Sequence, residues 1–180
     1  MNRSLACFLL AAAFSGSLAG CAGGPSRGNT YTVTLDGFQD ADVSEIIQAT
    51  TAWTDRTSAR FKIVTGACVG YSDGAICMHA LAAPAIYGTC ESTRTVGCAV
   101  GETEVDGAEI WIDVEGSRVV ASNGGLAWAD DESLEAVAEH ELGHALGLAH
   151  EDHTVMAASP TNDWRPLVTE LDVAQYNALR

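Results

Sequence analysis

His140-Glu141-Leu142-Gly143-His144-Ala145-Leu146-Gly147-Leu148-Ala149-His150 reads H-E-x-x-H-x-x-G-x-x-H without interruption. On a helix, side chains four residues apart lie on one face, so His140 and His144 can reach one cation with Glu141 beside them. A third ligand from the same helix would strain a tetrahedron, so the chain has to turn and come back. Gly147 permits the turn, because glycine tolerates positive φ at a helix end. His150 then supplies a third nitrogen from the returning segment, at the about 2.0–2.1 Å usual for zinc. The fourth position stays open to water, which marks a catalytic zinc site rather than a structural one. Zinc lowers the pKa of such a water to about 7, and Glu141 is placed to take the proton, so the run predicts metal-assisted hydrolysis. The bland alternative is an amphipathic core helix that happens to carry histidines, and it gives no reason for the glutamate and glycine at these spacings.

Working outward, Asp130, Asp131 and Ser133 offer N-caps for a helix from about Leu134 to Leu146. Leu134, Ala138, Leu142, Ala145 and Leu146 fall on the side opposite His140 and His144, so one side packs and the other lines a cleft. Near the C-terminus, Leu171, Ala174 and Ala178 recur at helical intervals within Leu167 to Leu179, with Thr169 as cap. Near the N-terminus, Tyr31, Val33 and Leu35 alternate with Thr32 and Thr34 as in a half-buried strand. Val43, Ile46, Ile47 and Trp53 then space a helix from about Asp40 to Thr57, with Ser44 or Asp42 near its start. Phe61 to Val64 is β-prone, and strand, helix, strand in this order predicts a right-handed crossover between parallel neighbours. Ile110, Ile112 and Val114 alternate as a further strand. Gly66 to Val105 shows no periodicity, apart from a short candidate strand at Thr95 to Val100, and His79 reads as a loop residue.

The eleven-residue motif, with Met156 following in His153-Thr154-Val155-Met156, resembles the metzincin metallopeptidases, whose zinc motif is followed by a methionine turn. The resemblance implies an α+β single domain: a twisted, mostly parallel sheet packed with an N-terminal helix and the active-site helix, plus a small C-terminal part ending in a helix. It implies one catalytic zinc ion on His140, His144 and His150, Glu141 as base, and Met156 as a hydrophobic floor that does not bind the metal. It also implies an edge strand that pairs with an extended peptide, for which Thr95 to Val100 is the candidate. Glu151 directly follows the third histidine, as in astacin-like enzymes, but Ala158 stands where those enzymes place a zinc-associated tyrosine. The wording of the motif is closer to the matrixins, with a short interval between His150 and Met156. His153 reads as an exposed turn histidine rather than a further ligand. Asp106, Asp113, Asp130 and Asp131 form no calcium-loop motif, so structural Ca2+ is left open.

Arg3, the apolar stretch Leu5 to Leu18 and the closing Leu18-Ala19-Gly20-Cys21 read as a signal peptide over residues 1–20, too short for a membrane span. The tetrad resembles the bacterial lipobox, which makes Cys21 a lipidated N-terminus and residues 21–29 a flexible tether. The expected location is the cell envelope, at the outer membrane where there are two; ordinary secretion is the alternative. Residues 30–180 then suit one domain. With Arg3 removed, eight basic residues face 24 acidic ones, a net charge of −16. That surface argues against nucleic acid and against charge-driven docking on anionic lipid, leaving membrane contact to the anchor. Of six cysteines, Cys68, Cys77, Cys90 and Cys98 remain for two disulfides. Three pairings exist; Cys68–Cys77 and Cys90–Cys98 are preferred because each closes a short loop, and a cysteine zinc cluster is the rival. The expectation is a monomeric zinc-dependent endopeptidase acting on peptide or protein substrates. A catalytically silent zinc-binding scaffold and an amidase acting on peptidoglycan peptides are the alternatives.

Overall fold

The sheet is built outward from the strand that the Tyr31–Leu35 alternation marks. In the computed structural model, which describes residues 30–69, 72, 74–81, 97–102, 107–114, 118–120, 126–128, 133–157 and 167–180, that strand is β1, Thr30–Asp36. Tyr31, Val33 and Leu35 are buried, while the threonines between them are half-buried on the other face. Helix α1, Asp40–Arg56, follows, and its N-cap is Gln39, whose N–H donates to Asp42 Oδ2 at 3.2 Å. Its core-facing side is Ile46, Ala49 and Trp53, whereas Ile47 is 45% exposed and lies off the packed stripe. Strand β2, Arg60–Thr65, returns parallel to β1 with Val33 opposite Ile63, as strand-helix-strand order requires.

The middle of the chain departs from expectation. Residues Ala75–Leu81 form β3, parallel to β1 on one side and to β5, Gly107–Asp113, on the other. Ile76 and Met78 are buried and alternate with half-buried Cys77 and His79, so His79 stands on a strand and not in a loop. The segment A-I-C-M-H-A-L contains little that is β-prone. Pairing on both edges makes it a strand, and tertiary context of that kind outweighs local preference in sheets. The short strand expected at Thr95 to Val100 is β4, Gly97–Glu102, antiparallel to β5 at the sheet's edge.

The five-stranded order is β2-β1-β3-β5-β4, mostly parallel, and a separate antiparallel pair joins β6, Arg118–Val120, to β7, Leu126–Trp128. Helices α2, Leu134–Ala145, and α3, Glu170–Ala178, complete the described elements. Val33, Ile76, Met78, Ile110 and Ile112 of the sheet share one core with Ile46 and Trp53 of α1 and Leu134, Ala138 and Leu142 of α2. Trp53 Nε1 donates to the Glu139 carbonyl at 2.9 Å inside this core, tying α1 to α2. The fold is therefore α+β, with the motif helix packed against a mostly parallel sheet.

Helix α3 corrects a second expectation. Leu171 is 56% exposed and Ala174 and Ala178 are exposed, while Asp172 and Tyr176 are buried, so the apolar stripe is out of phase with the packed face. Asp172 sets the phase: its Oδ2 accepts from Thr169 N and Thr169 Oγ1, both at 2.7 Å, and from Val155 N at 3.4 Å. Three donors on Oδ2 offset part of the cost of burying this carboxylate, whose Oδ1 is buried without a hydrogen-bond partner. Cys68 and Cys77 form a disulfide, which selects the preferred pairing for those two. Cys98 is also disulfide-bonded, and Cys90 lies outside the described residues.

Candidate metal centre

Helix α2 starts at Ser133, whose Oγ accepts from Ala136 N at 3.2 Å; Asp130 and Asp131 lie outside the described residues. It ends in a Schellman arrangement. Leu148 N donates to Gly143 O at 2.9 Å and Gly147 N to His144 O at 2.8 Å, with Gly147 at φ 91°. The expected turn at Gly147 is thus present, and it sends the chain back toward the helix face that carries the histidines.

The ring nitrogens then define the centre. His140 Nδ1 lies 2.7 Å from the Val155 carbonyl, and His144 Nδ1 lies 2.9 Å from the Leu148 carbonyl. A carbonyl can only accept, so both Nδ1 atoms carry the proton and both Nε2 atoms present lone pairs. Yet His144 Nε2 is 3.1 Å from His140 Nε2 and 3.0 Å from His150 Nε2. The lone pairs of His140 and His144, facing one another at 3.1 Å, repel unless a cation lies among them. A tetrahedral ion with the usual zinc–nitrogen bonds wants its nitrogens about 3.3–3.4 Å apart, so the three rings fit zinc with only slight opening. Burial, the largest influence, lowers His140 to about 4 and lowers His144 as well, keeping both rings neutral as ligands must be. His150 is exposed; its segment is held by α3, where Gln175 Oε1 accepts from Ala149 N at 2.9 Å.

Glu141 projects from the same helix into the interior, 5% exposed, with Oε2 lacking a hydrogen-bond partner. Burial pushes its carboxyl up to about 8. Strand β4 passes close by. A β-carbon on Gly97 would come within 2.9 Å of Glu141 Oε1 and of Val137 Cγ1, so only glycine lets this edge strand approach the carboxylate.

Met156 lies in a turn beneath the helix. Glu151 N donates to Met156 O at 3.0 Å, Thr154 Oγ1 to Glu151 O at 2.7 Å, and Met156 N to Thr154 Oγ1 at 2.9 Å. Its side chain is fully buried against α2, and a β-carbon on Gly143 would overlap Met156 Sδ. The same turn supplies the Val155 carbonyl that holds His140, while the Val155 N–H donates to Asp172. A continuous path of bonds therefore runs from α3 through the methionine turn to the first histidine. His153 is exposed, in the left-handed region at φ 65°, and outside the three-histidine cluster. Ala158 lies outside the described residues.

Residues 89–177 match the sequence profile of the matrixin family of peptidases, whose members use zinc. Over that stretch the chain is similar to the matrixins. The matched stretch holds all three histidines, Glu141 and Met156. A comparison with curated proteins finds no match. Among solved structures, the chain is similar to high choriolytic enzyme 1, a hatching-enzyme zinc-protease of the medaka fish Oryzias latipes. Identity is 17%, over 67% of this chain and 44% of that one, with a TM-score of 0.36. It is also similar to myroilysin, at 16% identity over 84% of this chain and 60% of that one, with a TM-score of 0.33. The chain thus spans less than two thirds of the length of either. His140, His144 and His150 form a ligand set able to hold a metal ion.

Reading the motif alone misses Asp172, Gln175, Gly97 and Gly143. Gly143 sits within the quoted run as a variable position, and its steric role shows only once Met156 is beneath it. Asp172 carried one local signal, its place three residues after Thr169, which is capping-box spacing.

Proposed function

We propose that the protein is a zinc-dependent endopeptidase of the bacterial cell envelope. The observation that carries this reading is the cluster of three imidazoles, with His144 Nε2 3.1 Å from His140 Nε2 and 3.0 Å from His150 Nε2, beside a buried glutamate. Held by His140, His144 and His150, zinc would supply a Lewis acid and lower the pKa of a water molecule to about 7. Glu141 takes the water's proton as the oxygen attacks the peptide carbonyl, and hands it to the departing amine. Its high proton affinity, set by burial, suits a group that must accept and release a proton near neutral pH. Among the described strands β4 is the outermost on its side, a position from which backbone donors and acceptors can serve an extended peptide, and Gly97 brings that strand against Glu141.

In this reading residues 30–180 are the catalytic unit, residues 1–20 are removed as a signal, and Cys21 carries the lipid that holds the enzyme at the membrane. Incorporation of labelled fatty acid into the wild type and its loss in Cys21→Ser tests the anchor; unlabelled wild type leaves a secreted form. The peptidase reading is tested with Glu141→Gln. One zinc ion per chain should remain bound while cleavage of a peptide library falls at least 1,000-fold, on the order expected for loss of a general base in a hydrolytic site. Unchanged cleavage in that variant, or no cleavage by zinc-loaded wild type, overturns the proposal.

A further inference from the structure

The face of the sheet turned away from α1 and α2 carries a second cluster with ligand chemistry. Strand register places Asp36 beside His79 and His79 beside Trp111, and Cys77 lies two residues before His79 on the same face. The His79 ring stacks on Trp111 with centroids 5.7 Å apart and planes 13° from parallel, and its Nδ1 stands 3.5 Å from Asp36 Oδ2. Its Nε2 is buried without a hydrogen-bond partner. A ring nitrogen of His79 and the sulfurs of Cys68 and Cys77 all lie within 4.8 Å of one another.

We propose that Cys68, Cys77 and His79 form a second metal site in the dithiol form of the protein, taking a thiolate-preferring divalent cation such as zinc, and that the Cys68–Cys77 disulfide is its closed state. Two thiolates and an imidazole make a soft donor set, which favours zinc over magnesium or calcium. The Asp36 carboxylate beside Nδ1 supplies the outer partner that ligating histidines use to fix their tautomer. Cα atoms 5.7 Å apart allow the sulfurs to separate to the about 3.8 Å that two zinc–thiolate bonds at a tetrahedral ion require. Opening the disulfide takes two electrons and two protons from a dithiol reductant, which leaves as its own disulfide; the cation then displaces both thiol protons. The two forms sort by compartment, since thiols persist in a reducing space and the disulfide in an oxidising one. Nothing in this site depends on the peptidase reading.

The experiment titrates the full chain with Co2+ before and after reduction by a phosphine, which is converted with water to its oxide. Charge-transfer absorption from thiolate to cobalt reports cysteine ligation, and the histidine centre on α2 does not contribute to it. Reduction should make this band appear and saturate by two equivalents, one for each centre. Cys77→Ser should abolish it, and His79→Gln should weaken the binding at least tenfold. Circular dichroism of the reduced protein runs alongside. A reduced, folded chain without the band overturns the proposal, as does a band undiminished in Cys77→Ser or an unchanged affinity in His79→Gln. Loss of the fold on reduction overturns it equally, because the site exists only while β3 holds Cys77 and His79 together.

Discussion

Helix α2 is buried on nearly every side, and helix α3 along one narrow seam. In α2, Leu134, Ala138, Leu142 and Ala145 are fully buried, and so is the side chain of Glu139 on another face. In α3 only Asp172 and Tyr176 are buried. The helix with two of the metal-site histidines is thus fixed by apolar packing. The helix behind the return segment is a polar bracket: Asp172 binds the Val155 N–H and Gln175 binds the Ala149 N–H. Packing gives α2 its rigidity, whereas α3 sets the position of the chain that brings back His150 and the His140-binding carbonyl. Substitutions in α2 should therefore act first on stability, and those in α3 on metal affinity.

The largest expected effect is that of Leu142→Ala. The side chain is fully buried among sheet and helix residues, so its loss should cost about 2–5 kcal/mol through lost burial and the cavity left behind. Urea unfolding of wild type and variant measures this. A cost below 1 kcal/mol would mean that α2 is not held by packing.

The same contrast explains which parts of the molecule were legible. The placement of His140, Glu141, His144, Gly147, His150 and Met156 is legible because it depends on helical spacing or local backbone freedom, both properties of adjacent residues. Strands β1 and β5 could be read because alternation and β-prone residues agree in them. Strand β3 was hidden because Ala75, Cys77 and His79 carry no strand preference and its neighbours β1 and β5 are far apart in the chain. The phase of α3 differs from its apolar stripe because the hydrogen bonds that bury Asp172 come partly from Val155, a residue no periodicity connects to it. His79 reads as a loop residue in the sequence for the same reason that β3 is hidden: its stacking on Trp111 exists only across two strands.

Asp172→Ala comes next. It removes the acceptor of two short bonds and one longer one, at a cost of about 2–3 kcal/mol. Because Val155 also holds His140, zinc affinity should fall about 10- to 100-fold, the usual effect of removing an outer partner of a ligand. Competition with a chelating dye reads affinity separately from unfolding. A destabilised variant with unaltered zinc affinity would break the link between α3 and the metal site.

Glu139 tests whether α2 tolerates its buried charge by keeping it neutral. Burial, reinforced by Glu135 and by Asp172, pushes the carboxyl up to about 8, against the pull of the Val168 N–H and of Arg56. Its ordinary value is 4.5. Between these values the folded chain holds a proton that the unfolded chain has released, so the contribution to stability is complete below about 4.5 and is lost as the pH rises to about 8. The slope is at most about 1.4 kcal/mol per pH unit. Metal-free Glu139→Gln should lack this slope, so its unfolding free energy minus that of wild type should grow from pH 5 to 8 and then level off. A difference independent of pH would show that Glu139 is charged where it lies.

The smallest effect belongs to Gln175, and it is the most selective. Its Oε1 holds the Ala149 N–H, next to the one metal-site histidine that is exposed. One bond at the surface is worth about 1 kcal/mol, so Gln175→Ala should weaken zinc binding about fivefold. The apoprotein's unfolding midpoint should barely move, because α3 keeps Tyr176 and Asp172 buried. Gln175→Glu retains an acceptor at the same reach and should restore affinity. The matched change Leu171→Ala, on the exposed stripe of the same helix, should alter neither property, with stability within about 0.5 kcal/mol of wild type. If Leu171→Ala weakens zinc binding as much as Gln175→Ala, α3 acts through its exposed apolar face, and the bracket formed by its polar side chains is not what places His150.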